Sequence, residues 1–177
     1  PGVWEISCSN EKTEKVLTEK IFNNNVCGME EDHFKCVIQA RNLLPKRQAD
    51  DKEEIDELIG VCSQGTEYTH KCIESFAKGL DKSETDERSE IIPMITTCHN
   101  SLAGVNKCID FATAKISRLN KDNFIEKLPI VKACTDGSET TLICLKEASR
   151  GLKNLELDDV SELEELINAC GKSDLEI

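Results

Sequence analysis

Cysteine can hold a metal, act as a nucleophile or close a disulfide, and spacing discriminates among these. Ten cysteines stand at Cys8, Cys27, Cys36, Cys62, Cys72, Cys98, Cys108, Cys134, Cys144 and Cys170. Zinc knuckles need Cys-x2-4-Cys, and the shortest gap here, Cys27 to Cys36, is nine positions. A redox pair needs Cys-x-x-Cys, which is absent. An even number in a chain of 177 residues points to disulfides and an oxidising compartment. With all ten paired, no thiol remains for catalysis.

Other reactive side chains assemble nothing. His33, His70 and His99 are not equivalent to one another in their spacing from the cysteines. No Gly-x-Ser-x-Gly elbow is present. Carboxylates are too abundant, 34 in all, for any pair to be informative. Asp50, Asp51, Asp86, Asp158 and Asp159 offer weak Ca²⁺ ligands without an EF-hand loop, and read as solvated loop charge. The expectation is no enzyme and no cofactor. A net charge of −12 disfavours nucleic acid and anionic membranes, which select clustered Lys and Arg. No apolar run reaches the ~18–20 residues of a membrane span. The opening PGVWEISCSN lacks a signal-peptide layout, so secretion would imply a leader removed beforehand. No Asn-x-Ser/Thr acceptor for glycosylation occurs.

The cysteines form two interleaved series. Cys62, Cys98, Cys134 and Cys170 step by 36, as do Cys36, Cys72, Cys108 and Cys144. A fixed period of this size marks a repeat architecture. Apolar positions keep the phase: Leu58, Met94, Ile130 and Leu166; Ile59, Ile95, Val131 and Ile167; Val37, Ile73, Ile109 and Leu145; Leu44, Leu80, Ile116 and Leu152. Glu54, Glu90, Glu126 and Glu162 follow suit. Within a unit the spacing is helical, as in Ile55, Leu58, Ile59, Cys62 and in Tyr68, Cys72, Phe76, Leu80. No segment alternates like a strand. Gly28, Gly65, Gly137 and Gly171 sit where helix C-caps belong, and Thr66 and Ser138 where N-caps belong.

Each unit therefore reads as helix A, short turn, helix B, acidic loop. The expected fold is all-α: one domain, 1–177, of tandem 36-residue hairpins in a solenoid-like or curled bundle of about nine helices. Its parts are a divergent first unit (1–44), repeats at 45–80, 81–116 and 117–152, and a terminal half-repeat (153–177). Pro93 and Pro129 are equivalent. They either kink helix A, curving the stack, or sit harmlessly in its first turn.

Geometry selects the pairing. Cys62 and Cys72 lie too far apart along their helices, about 9 Å by helical rise, for an easy bridge. In an antiparallel hairpin, residues equidistant from the loop face each other. Cys72 and Cys98 are centred on position 85, in an acidic loop; 36–62, 108–134 and 144–170 are centred likewise, leaving 8–27 around the first helix. Five sequential bridges are expected, each contributing about 3 kcal/mol in a chain-entropy model. The alternative joins 27–36, 62–72, 98–108, 134–144 and 8–170.

With only 4% aromatic residues, the core must be aliphatic. The apolar stripes either fill that core or, if the array curls, line a cavity. Ala112, Ala114, Ala133, Ala148 and Ala169 would leave room, and Phe76, Met94, Phe111 and Phe124 are candidate lining for a small apolar ligand.

The Cys-x9-Cys units look like the twin Cys-x9-Cys hairpins of the mitochondrial intermembrane space, except that Gly65 and Gly137 interrupt the helix here. More broadly, CIESFAKGL (72–80), CLKEASRGL (144–152) and the cysteine density resemble arthropod 27 kDa haemolymph-type proteins and the cysteine-rich helical domains secreted by nematodes and arachnids. The resemblance implies an abundant extracellular protein without known catalysis, and no functional residues to transfer. The expected function is non-enzymatic: protein interaction or a structural part of a body fluid. The alternatives are carriage of a small apolar ligand and a salivary or venom effector role.

Overall fold

The computed structural model describes residues 29–44, 52–81, 88–115, 123–135, 137, 139–151 and 160–172. Among them are eight helices and no strand: α1 (Glu31–Leu43), α2 (Lys52–Cys62), α3 (Thr69–Ala77), α4 (Arg88–Thr97), α5 (Val105–Lys115), α6 (Phe124–Thr135), α7 (Glu139–Gly151) and α8 (Val160–Lys172). The described part of the chain is all-helical. A ninth helix, expected between Cys8 and Cys27, falls outside the described residues, as does the 8–27 bridge.

Four disulfides clamp consecutive helices. Cys36–Cys62 joins α1 to α2, Cys72–Cys98 joins α3 to the end of α4, Cys108–Cys134 joins α5 to α6, and Cys144–Cys170 joins α7 to α8. Each spans 26 residues, with Cα atoms 5.6–5.8 Å apart. These are the bridges centred on the acidic loops. Helices also touch their second neighbours. One row runs α1, α3, α5, α7 and the other α2, α4, α6, α8.

The sequence columns map onto depth. Val37, Ile73, Ile109 and Leu145 are all fully buried. So are Leu58, Met94 and Ile130, while Leu166 is partly covered at the end of its row. Residues 36 apart in these two columns are thus buried alike, apart from Leu166. Most of the described cysteines lie inside this core, and Cys144 is packed at its edge.

Local signals set the helix ends. Asn123 Oδ1 accepts the Glu126 backbone N–H at 3.2 Å, a side-chain cap on the first turn of α6. Thr66 caps less directly. Its Oγ1 accepts from the Tyr68 N–H at 3.3 Å, and Thr69 Oγ1 accepts the Thr66 N–H at 2.9 Å. Ser138 and Gly28 lie outside the described residues.

The glycine expectation needs correction. Gly171 lies inside α8, and Gly65 and Gly137 have no left-handed backbone. What requires glycine at those two is crowding. A Cβ on Gly65 would collide with Thr69 Oγ1, and one on Gly137 would lie 3.1 Å from Thr141 Cγ2 and 3.2 Å from the Cys134 carbonyl. The left-handed residue that ends a helix is instead Gly79, at φ 85°, after α3.

Pro93 and Pro129 are each the sixth residue of their helices, α4 and α6, beyond the first turn. Each removes one i→i−4 hydrogen bond. In α4, Thr96 Oγ1 and Thr97 Oγ1 donate back to the Ile92 and Pro93 carbonyls, both at 2.9 Å.

Candidate functional site

Three residues that break the repeat meet at one place. Phe76 falls in a column otherwise occupied by alanine (Ala40, Ala112, Ala148). Phe124 takes the position of Lys52, Arg88 and Val160. Lys127 takes that of Ile55, Ile91 and Leu163. The Phe76 and Phe124 rings stack at 4.9 Å between centroids, 20° from parallel. Lys127, one turn further along α6, is buried with 1% exposure. Its Nζ donates to the Phe76 carbonyl and, at 2.7 Å, to that of Lys78.

The helix that Lys127 closes, α3, is short, with nine residues. α1 ends at Leu43, with Leu44 as its cap. In the same register α3 would end at residue 79, but it ends at Ala77. Lys78 is extended (φ −61°, ψ 112°), and Gly79 turns the chain back. A cation at a helix C-terminus satisfies carbonyls that have no intrahelical partner and complements the macrodipole. Lys127 thus supplies from α6 the acceptor satisfaction that a longer α3 would supply itself.

Beside this point, between α3 and α5, runs a groove of about 380 Å³ lined by Glu74, Ser75, Ala77, Lys78, Asn106 and Asp110. Lys78 Nζ and Asp110 Oδ2 pair across it at 3.4 Å, and Ser75 Oγ donates to the Asn106 carbonyl at 3.5 Å. Its lining is polar. The four candidate cavity residues lie elsewhere. Phe76 and Met94 are fully buried in the common core, and Phe111 and Phe124 pack against it. Phe76 and Phe124 are brought together; none of the four lines this groove.

All three histidines gather around the turn between α2 and α3. His33 Nε2, from α1, donates to the Gly65 carbonyl at 3.1 Å. His70, in α3, places Nδ1 3.9 Å from Asp32 Oδ1 of α1. His99, after α4, hydrogen-bonds through its ring to the Val61 backbone, and its carbonyl accepts the Thr66 N–H at 3.2 Å. The buried atoms His70 Nδ1 and His99 Nε2 have no hydrogen-bond partner among the described residues. Burial pushes both imidazoles below the ordinary histidine value; for His70, Asp32 opposes the shift and Lys35 and Lys71 assist it. Asp32 itself is held down chiefly by its hydrogen bond from Lys35, which shares Glu31.

Chemically, this ensemble positions helices. Among the described residues every cysteine is disulfide-bonded, and no three His, Cys, Asp or Glu side chains are grouped to hold a metal. Asp50, Asp51, Asp86, Asp158 and Asp159 lie outside the described residues. Among the described residues no helix is long and apolar enough to cross a membrane. Sequence reasoning missed Lys127. Its signal was a lysine in an aliphatic column, visible once that column is aligned. Comparison with family models, curated proteins and solved structures found no significant match.

Proposed function

We propose that the chain is a secreted, non-enzymatic extracellular protein that works through protein interaction or as a structural part of a body fluid. Its scaffold is a single domain of tandem 36-residue α-hairpins stacked as a solenoid. Units at 45–80, 81–116 and 117–152 lie between the divergent 1–44 and the half-unit 153–177.

One observation carries this reading. The helices make two rows of second-neighbour contacts, and a disulfide crosses between the rows at each step. Stacked helical hairpins present extended side-chain surfaces, the usual binding faces of such arrays. Cross-links of this density belong to an oxidising compartment. The groove beside Lys127 is polar, and the bulky candidates for an apolar cavity are spent on core packing. Both points favour interaction over apolar carriage.

Native mass spectrometry of the chain recovered from the fluid outside its source cells tests this. The expected species is ten hydrogens lighter than the reduced chain, bare or with a protein partner. A stoichiometric lipid-sized adduct overturns the reading in favour of a carrier, and retention of the chain inside the cells overturns secretion.

A further inference from the structure

The turn between α2 and α3 joins two stapled helix pairs, α1–α2 and α3–α4. Its threonines tie the turn to the residues after α4, and the histidine contacts of His33, His70 and His99 run across the boundary. Thr66 Oγ1 donates to the Ser101 carbonyl at 2.6 Å, Thr69 Oγ1 donates to the Cys98 carbonyl at 3.3 Å, and the Thr66 N–H reaches His99. At the equivalent places in the next joint stand Leu102 and Val105, which have no hydroxyl. The joint at 134–141 has no histidine. The joint at 134–141 keeps hydroxyls at the equivalent places, Ser138 and Thr141, so what sets the 62–69 turn apart is the three histidines around it.

The two histidines with an orphaned ring nitrogen both sit on that boundary. A neutral His99 that donates to Val61 carries its lone pair on Nε2, which is buried without a partner among the described residues. Protonation adds an N–H there that meets no acceptor, and a charge that has lost water. At His70 the added proton would fall on Nδ1, facing Asp32 at a distance too long for a hydrogen bond. The other charges facing His70 are Lys35 from α1 and Lys71 on its own helix, and the Glu67 backbone bonds its ring. Around His99 the contacts are backbone, from Val61 and Thr66. His33 differs. Its Nε2 has a partner, donating to the Gly65 carbonyl at 3.1 Å.

We infer that the 62–69 turn is an acid-sensitive joint. Protonation of His70 and His99 loosens the α1–α2 pair from the α3–α4 pair, while the disulfides keep each pair closed. The first staple then moves relative to the rest of the array without global unfolding. This does not depend on the functional reading above.

Amide hydrogen exchange of the full oxidised chain, followed by NMR and expressed as protection factors, tests it. Between about pH 7.5 and about pH 5.5, where histidine titrates, protection at Thr66 and Thr69 is expected to fall about tenfold or more. Protection at Gly137, Val37 and Ile73 is expected to hold. Unchanged protection at Thr66 and Thr69, or an equal loss at Gly137, overturns the joint. His99→Gln and His70→Gln should each shrink the acid response. Should either fail to fold, the ring Cε1–H titrations of the wild-type chain serve instead, with midpoints at or above 6.5 for both rings counting against the proposal.

Discussion

Lys127 Nζ lies 2.7 Å from the Lys78 carbonyl oxygen, 49 residues away in sequence, and binds the Phe76 carbonyl as well. An ammonium from α6 thus closes the C-terminus of α3. Where the other units have Ile55, Ile91 and Leu163, this unit puts a charge, and the helix it faces stops two positions short of where α1 stops in the same register.

Lys127→Met keeps the volume and removes the donor. The expected loss is about 1.5–3 kcal/mol, the range for hydrogen bonds to charged groups. Guanidinium unfolding with disulfides intact measures it. A buried charge replaced by a hydrophobe can also gain stability, so a raised midpoint would show that Lys127 is not a cap of consequence.

Phe76→Ala empties a fully buried site and should cost about 3–5 kcal/mol. Phe124→Ala should cost less, because Phe124 is only partly buried. The stacked pair should show a coupling of about 0.5–1.5 kcal/mol in a double-mutant cycle. Strict additivity of the two substitutions would mean that the rings contribute only their separate burial.

Three glycines should respond in opposite senses to alanine. Gly65→Ala, colliding with a threonine hydroxyl held by two hydrogen bonds, should lose about 1–3 kcal/mol. Gly137→Ala should lose less, since its nearest neighbours, the Thr141 methyl at 3.1 Å and the Cys134 carbonyl at 3.2 Å, stand further off. Gly60 stands within α2 with nothing within 4 Å of its would-be Cβ, so Gly60→Ala should gain about 0.5–1 kcal/mol. Thermal unfolding of the three variants gives the order.

Of the four described disulfides, Cys144–Cys170 should open first under native reduction. Cys144 is partly exposed, whereas the other seven cysteines are at most 2% exposed. A limiting phosphine, alkylation and peptide mapping should recover label at Cys144 and Cys170 before any other of these eight. First label at Cys72 or Cys98 would contradict it.

Much of the fold was legible because its signals are local or periodic. Apolar residues at helical spacing mark a helix whatever surrounds it. A 36-residue step makes Val37, Ile73, Ile109 and Leu145 equivalent, and the structure buries all four. Loop midpoints name the facing cysteines because an antiparallel pair is symmetric about its loop. The glycines were read for the wrong reason, since crowding by a side chain four residues ahead depends on how the turn is bent and not on the glycine's neighbours in sequence.

The sequence by itself determined the helical class, the period and the pairing across acidic loops. Tertiary structure decided which departures from the period meet. Phe76 and Phe124 are 48 positions apart, and His33, His70 and His99 share no phase, yet stacking in two rows sets each group around one point. A lysine in a repeat reads as surface because an isolated charge cannot afford burial. Only the arrival of a helix end with open carbonyls makes Lys127 an interior residue, and that arrival is a fact of packing.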